Sequence, residues 1–126
     1  MQKIASVLLV DDDATSNFIT SNIIRRLNLA ESIHSAKNGV EALTSLELEM
    51  PDVVFLDLHM PVMNGFEFLE QLVVQIPDYA SRMKIFILSS STNHSDMERI
   101  KKYSIDGYIS KPINIEKIQQ LQLLES

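Results

Sequence analysis

The 126-residue chain contains no cysteine. Disulfide frameworks, thiolate metal sites and thiol nucleophiles are therefore excluded, and the absence fits a reducing compartment. Long apolar runs are missing too. Stretches such as Val7 to Val10 and Ile85 to Leu88 fall far short of the roughly 20 residues that a membrane-spanning helix needs. Met1-Gln2-Lys3 leads directly into a strand-like run, without the apolar core and cleavage site of a signal peptide. Together these features make a cytoplasmic protein the expectation. Positive charge is also in deficit, with a net charge of −6 and a pI near 4.9. Such a surface repels nucleic acid and anionic lipid on average, so direct nucleic-acid or membrane binding is not expected. The basic pairs Arg25-Arg26 and Lys101-Lys102 sit beside acids on predicted helices and read as solvated faces. No linker, low-complexity tract or internal repeat interrupts the chain. Its length suits one domain with a core of its own, spanning residues 1–126 with no output domain.

What is present is an alternation of strand-length apolar runs with segments of helical period. Lys3 to Val10 reads as a buried strand, and Ala14 to Leu27 places Phe18, Ile19, Ile23, Ile24 and Leu27 at helical spacing. Ser32 to Ala36 is a short strand, Asn38-Gly39 a turn signal, and Val40 to Leu48 a second helix that Met50-Pro51 closes. Asp52 to Asp57 is a third strand, followed by the loop LHMPVMNG and a helix over Phe66 to Val74. Pro77 to Arg82 reads as a polar connection, Lys84 to Ser89 as a strand and Ser95 to Tyr103 as a helix. Gly107 to Ser110 is a short fifth strand, and Ile115 to Leu124 a last helix. The expectation is a (βα)5 α/β fold: a doubly wound, five-stranded parallel sheet of flavodoxin-like order 2-1-3-4-5, with helices on both faces.

In such a sheet, ligands bind outside the carboxyl ends of the strands, near the point where strand order reverses. Asp11, Asp12 and Asp13 follow the first strand, Asp57 ends the third, Ser89 ends the fourth, and Lys111-Pro112 follows the fifth. Clustered carboxylates repel one another, and a hard divalent cation such as Mg²⁺ relieves the repulsion. A carboxylate beside that cation can act as a nucleophile toward phosphorus, with an ammonium balancing charge on the phosphoryl oxygens. Each piece also has a plain structural explanation. The acids at 11–13 precede a helix and suit its capping and dipole, Asp57 could be a strand-end turn residue, and Lys111 a surface lysine. Ser89 begins an ordinary Ser-Ser-Ser-Thr loop. The convergence of all of them on one rim is what favours chemistry.

The strings LLVDDD at 8–13, NGVEAL at 38–43, DVVFLDLHMPVMNGFEFL at 52–69, ILSS at 87–90 and DGYISKP at 106–112 resemble the receiver domain of two-component response regulators. The similarity covers nearly all of the chain, and D-x-x-M-P-x-M-x-G after a buried strand is its most specific part. The resemblance implies that Asp57 is the phosphoacceptor and that Asp11 and Asp12 bind Mg²⁺ together with Asp57 and the backbone carbonyl of His59. It implies that Ser89 turns toward the phosphoryl group, that Lys111 pairs with it across a cis Lys111-Pro112 bond, and that Tyr108 is the aromatic switch residue. His59 and Ser91 match variable places that tune how long the aspartyl phosphate survives. Asp13 is assigned to helix capping, and His34 and His94 to no site.

On this reading the phosphodonor is a sensor histidine kinase, a histidine phosphotransfer protein or a small acyl phosphate. Phosphorylation switches the face of the fourth helix, fifth strand and fifth helix toward a downstream protein target, and a phosphorylation-linked dimer fits the same scheme. The chain is then a phosphoacceptor switch and no enzyme beyond self-catalysed phosphorylation and dephosphorylation. Two other readings remain at this stage. A pseudo-receiver would keep the fold without phosphorylation, but such modules usually lose one of Asp12, Asp57, Ser89 or Lys111. An aspartyl-phosphate phosphatase needs a D-x-D string, which Asp11 to Asp13 contains, but also a cap region that the chain lacks.

Overall fold

The computed structural model describes residues 4–89 and 94–121. Its elements run β1 (Ile4–Val10), α1 (Ala14–Arg26), β2 (Ala30–Ala36), α2 (Gly39–Leu48), β3 (Val53–Asp57), α3 (Gly65–Gln75), α4 (Tyr79–Arg82), β4 (Lys84–Ser89), α5 (His94–Ile100), β5 (Gly107–Ser110) and α6 (Ile115–Gln119). The strands form one parallel five-stranded sheet of order β2-β1-β3-β4-β5, as the sequence leads one to expect.

The strand runs lack polar alternation because helices cover both faces. All five residues of β3 are buried. Successive side chains feed opposite layers. Leu8, Val10, Val54, Leu56, Ile85 and Ile87 pack with residues of α2, α3, α4 and α5. Val7, Leu9, Phe55 and Leu88 pack with Ile23 and Ile24 of α1 and Ile118 of α6. The Phe55 and Phe86 rings stack at 5.7 Å within that second layer.

Short polar side chains start the helices. Asp13 accepts from the Thr15 and Ser16 N–H groups, and Asn114 from that of Lys117. Asn64 and Glu67 form a reciprocal capping box on α3. Asn38, expected in a turn, is the N-cap of α2, and Gly39 is the first helical residue. The same side-chain oxygen that closes a turn satisfies a free helical N–H, so local sequence does not separate the two roles.

The expected polar connection at 77–82 contains a turn of helix, α4. It buries Tyr79, whose hydroxyl accepts the Ser104 N–H at 2.8 Å. In α1, burial falls on Thr20, Ile23 and Ile24, while Phe18 is 64% exposed and Ile19 also faces outward. α5 ends at Ile100, with a turn over 101–103 in place of the expected last helical turn. The last helix, expected to run to Leu124, ends at Gln119 with a turn at 120–121; Lys3 of the first expected strand and residues 122–124 lie outside the described residues. Among the described residues, no helix is long and apolar enough to cross a membrane.

Candidate functional site

Parallel pairing sets Val10 beside Leu56 and Asp57 beside Leu88, so the ends of β1, β3 and β4 reach one rim together. Asp11 is the first residue beyond β1 and is wholly buried. Its N–H donates to the Ala36 carbonyl at 3.0 Å, and its own carbonyl accepts Asn17 Nδ2–H at 2.9 Å. Asp11 Oδ1 accepts the Asp13 N–H at 2.9 Å, and Oδ2 accepts Lys111 Nζ–H at 2.7 Å. Lys111 arrives from the end of β5, with its N–H donating to the Ser89 carbonyl at 2.8 Å and its peptide bond to Pro112 cis. The same Nζ lies 3.8 Å from Asp57 Oδ2. Asp57 Oδ1 accepts the His59 N–H at 3.3 Å.

Burial pushes the Asp57 carboxyl up to about 6, against the downward pull of the Lys111 ammonium and with the Asp11 charge adding to the rise. Burial draws the Lys111 ammonium downward. Its hydrogen bond to Asp11 and the charge of Asp57 outweigh that, and it is held above its ordinary value. Near neutral pH the site thus carries an ionised carboxylate at Asp57 and a positive charge at Lys111. Carboxylate oxygens of Asp11, Asp12 and Asp57 lie within 4.8 Å of one another. An all-oxygen set with one exposed member suits a hard cation that keeps part of its water.

The loop after β3 folds back on the strand. The Gly65 N–H donates to the Leu58 carbonyl at 3.0 Å, and a Cβ at Gly65 would lie 2.6 Å from the Asp57 carbonyl oxygen. Met63 accepts the Gly39 N–H at 2.8 Å, which ties the loop to the start of α2. Val62 at the loop tip has φ 70°, a conformation that β-branched residues rarely adopt. The His59 ring turns away from the acids and meets Asp96 Oδ2 of α5 at 2.6 Å.

Asp11, Asp12, Asp57 and Lys111, singled out in the sequence, thus meet in space. Ser89 is half-buried at the end of β4, one residue beyond the pairing partner of Asp57. Tyr108 stands apart: on β5 it pairs with Ile87 of β4, and it is 49% exposed. Asp13 caps α1 and turns its side chain to the helix. Ser91 lies outside the described residues. His34 meets Glu49 at 3.0 Å and His94 lies 3.8 Å from Glu98, both on the surface. Asn17 and Asp96 were not singled out. Asn17 could have been found from its place one turn into the helix behind the acids. Asp96 carries no local signal, since it meets His59 across 37 positions.

Residues 7–122 match the response regulator receiver domain as a family. The chain belongs to that family. The structure is similar to a two-component response regulator from Cytophaga hutchinsonii (TM-score 0.88, 29% identity, 99% of this chain and 100% of that one). It is also similar to chemotaxis protein CheY4 of Vibrio cholerae (TM-score 0.81, 29% identity, 93% and 94% covered). A protein-glutamate methylesterase/protein-glutamine glutaminase of Desulfotalea psychrophila is 38% identical over 106 residues, which are 84% of this chain and 29% of that protein. The receiver spans 29% to 36% of the first such relatives. The chain is a receiver domain of two-component signalling, and its acidic cluster can hold a metal ion.

Proposed function

We propose that residues 1–126 act as one Mg²⁺-dependent phosphoacceptor unit in which Asp57 receives the phosphoryl group. The observation that carries this reading is the buried Asp57 carboxylate, close to two further carboxylates and 3.8 Å from the Lys111 ammonium. Asp11, Asp12, Asp57 and the His59 carbonyl would hold Mg²⁺, which supplies positive charge to the phosphoryl oxygens when bound. The ionised Asp57 oxygen attacks phosphorus, and the donor leaves with the electron pair of the bond that breaks. Lys111 balances charge on the phosphoryl group, and the Ser89 hydroxyl donates to it. The group adds about −1.5 to −2 charge at neutral pH, which Lys111, now paired with Asp11, is placed to meet.

The donor is a phosphohistidine on a sensor histidine kinase or a histidine phosphotransfer protein, in the cytoplasm. A hybrid signal transduction histidine kinase of Dictyostelium discoideum, 29% identical over 112 residues, supports a kinase-linked relay. Output passes to a downstream protein through α5, β5 and α6, where the exposed Tyr108 repacks, with a phosphorylation-linked dimer as one form of that output. The unit is a switch without an enzymatic turnover of its own, beyond making and losing its acyl phosphate. Intact mass after acetyl phosphate or beryllofluoride with Mg²⁺ is expected to show one adduct on the wild-type protein and none on Asp57→Asn. A wild-type protein that gains no adduct, or an Asp57→Asn protein that still gains one, overturns the assignment.

A further inference from the structure

Lys111 reaches the acids from a short loop, and a second lysine, outside the acid site, holds that loop. Lys117 lies in the first turn of α6, where its N–H donates to the Asn114 side chain at 2.9 Å. Its ammonium folds back onto the segment that carries Lys111. Lys117 Nζ–H donates to the Ser110 carbonyl at 2.9 Å, the Ser110 hydroxyl at 3.2 Å and the Pro112 carbonyl at 2.8 Å. An ammonium has three N–H donors and no acceptor, so these three oxygens match its whole capacity.

α6 itself gives no reason for a cation at this place. The N-terminus of a helix is its positive end, where a lysine in the first turn is electrostatically disfavoured. The loop supplies the reason. The two carbonyls that Lys117 holds belong to the residues on either side of Lys111. The Lys111 N–H adds a tie to the Ser89 carbonyl at 2.8 Å. From a backbone fixed in this way, the Lys111 ammonium meets Asp11 Oδ2 at 2.7 Å and lies 3.8 Å from Asp57 Oδ2.

We propose that Lys117 is a positioning residue for phosphoryl transfer, which aims the Lys111 ammonium at the Asp57 site by clamping the carbonyls that flank Lys111. This rests on the reading of Asp57 as the phosphoacceptor. In transfer from acetyl phosphate, an Asp57 oxygen bonds to phosphorus, the bond from phosphorus to the acetyl oxygen breaks, and its electron pair leaves with acetate. No proton has to move. Charge is spread over the three equatorial oxygens of the group in transit, and an ammonium must stand within reach of them. A lysine on a loose loop has to be ordered during the reaction, whereas a clamped one is in place beforehand. The clamp acts on Lys111 and not on the acids, since Asp11, Asp12 and Asp57 come from the ends of β1 and β3.

The test measures the initial rate of adduct formation on the full chain by intact mass, at saturating Mg²⁺ with acetyl phosphate as donor. Mg²⁺ affinity is measured apart, by calorimetry without donor. Lys117→Met keeps the length of the side chain and removes its donors. It should load roughly tenfold more slowly than wild type, on the scale by which a misplaced group slows a reaction, while binding Mg²⁺ no more weakly. The double variant Lys111→Ala/Lys117→Met should load within about twofold of Lys111→Ala alone, because no ammonium remains to be aimed. Loading of Lys117→Met at the wild-type rate overturns the proposal. A loss of Mg²⁺ affinity that matches the loss of rate also overturns it, since Lys117 would then support the fold at large. So does a Lys117→Met effect of full size in the Lys111→Ala background, where Lys117 would act by its own charge. If Lys117→Met does not fold, Lys117→Ala carries the same expectations. Failure of the underlying reading is visible separately, as a wild-type protein that never gains the adduct, and it removes this proposal with it.

Discussion

The acid pocket stores free energy that the unloaded protein cannot release, and Asp57→Asn measures it. Burial and the Asp11 charge outweigh Lys111, so the Asp57 carboxyl titrates at about 6 in the folded chain against an ordinary 3.8. The folded protein therefore holds this proton to higher pH than the unfolded chain does. The group's contribution to stability is full below the ordinary value and is lost as pH rises toward about 6. A shift of about two units corresponds to about 3 kcal/mol of destabilisation near neutral pH. Asparagine is a neutral isostere of the protonated acid and escapes that cost. Asp57→Asn should equal wild type near pH 4 and exceed it by about 3 kcal/mol near pH 7.5, or about 10 °C in Tm for a chain of this length. The chain has no tryptophan, so far-UV circular dichroism in urea, with EDTA, is the assay. Saturating Mg²⁺ should stabilise the wild type and close much of the gap. A variant no more stable than wild type at pH 7.5, or a gap that does not change with pH, refutes the electrostatic account.

Removing the cation gives the converse. Lys111→Ala strips the wholly buried Asp11 carboxylate of its 2.7 Å partner. It should cost about 3 kcal/mol without metal, because an uncompensated buried charge remains. Mg²⁺ replaces that missing charge, so the Tm gain on adding Mg²⁺ should be larger in Lys111→Ala than in wild type; an equal or smaller gain contradicts the charge balance drawn here. At the loop tip, Val62 is exposed with φ 70°. Val62→Asn should raise stability by about 1 kcal/mol in urea melts, since asparagine tolerates the left-handed region. A loss of stability would show that the valine side chain has a role its exposure conceals.

Most of the fold was legible because the strands are buried on both faces and so stand out as apolar runs, and because crossover rules leave few orders for five parallel strands. The acids and Lys111 were legible for a related reason: the topology sends whatever follows each strand to one rim. Contacts made by folding were not legible. Nothing local pairs His59 with Asp96 or Tyr79 with Ser104, and the helical spacing of Phe18 with Ile23 does not say which one turns inward.

The loop after Asp57 shows the limit most clearly. The loop LHMPVMNG ends in Asn64-Gly65, a pair that commonly marks a turn in which glycine supplies a positive φ. No glycine among the described residues has one; Val62 carries that conformation instead. Gly65 is needed for proximity. A Cβ there would lie 2.6 Å from the Asp57 carbonyl oxygen and 2.8 Å from Leu58 Cα, both backbone atoms that cannot step aside. The bond from the Gly65 N–H to the Leu58 carbonyl forms only at that distance. The glycine therefore fixes the backbone on either side of the Asp57–Leu58 peptide and, through it, the direction in which the Asp57 side chain leaves the strand. The glycine that closes the most specific string of the resemblance acts in the structure by having no side chain to keep the loop off the strand end.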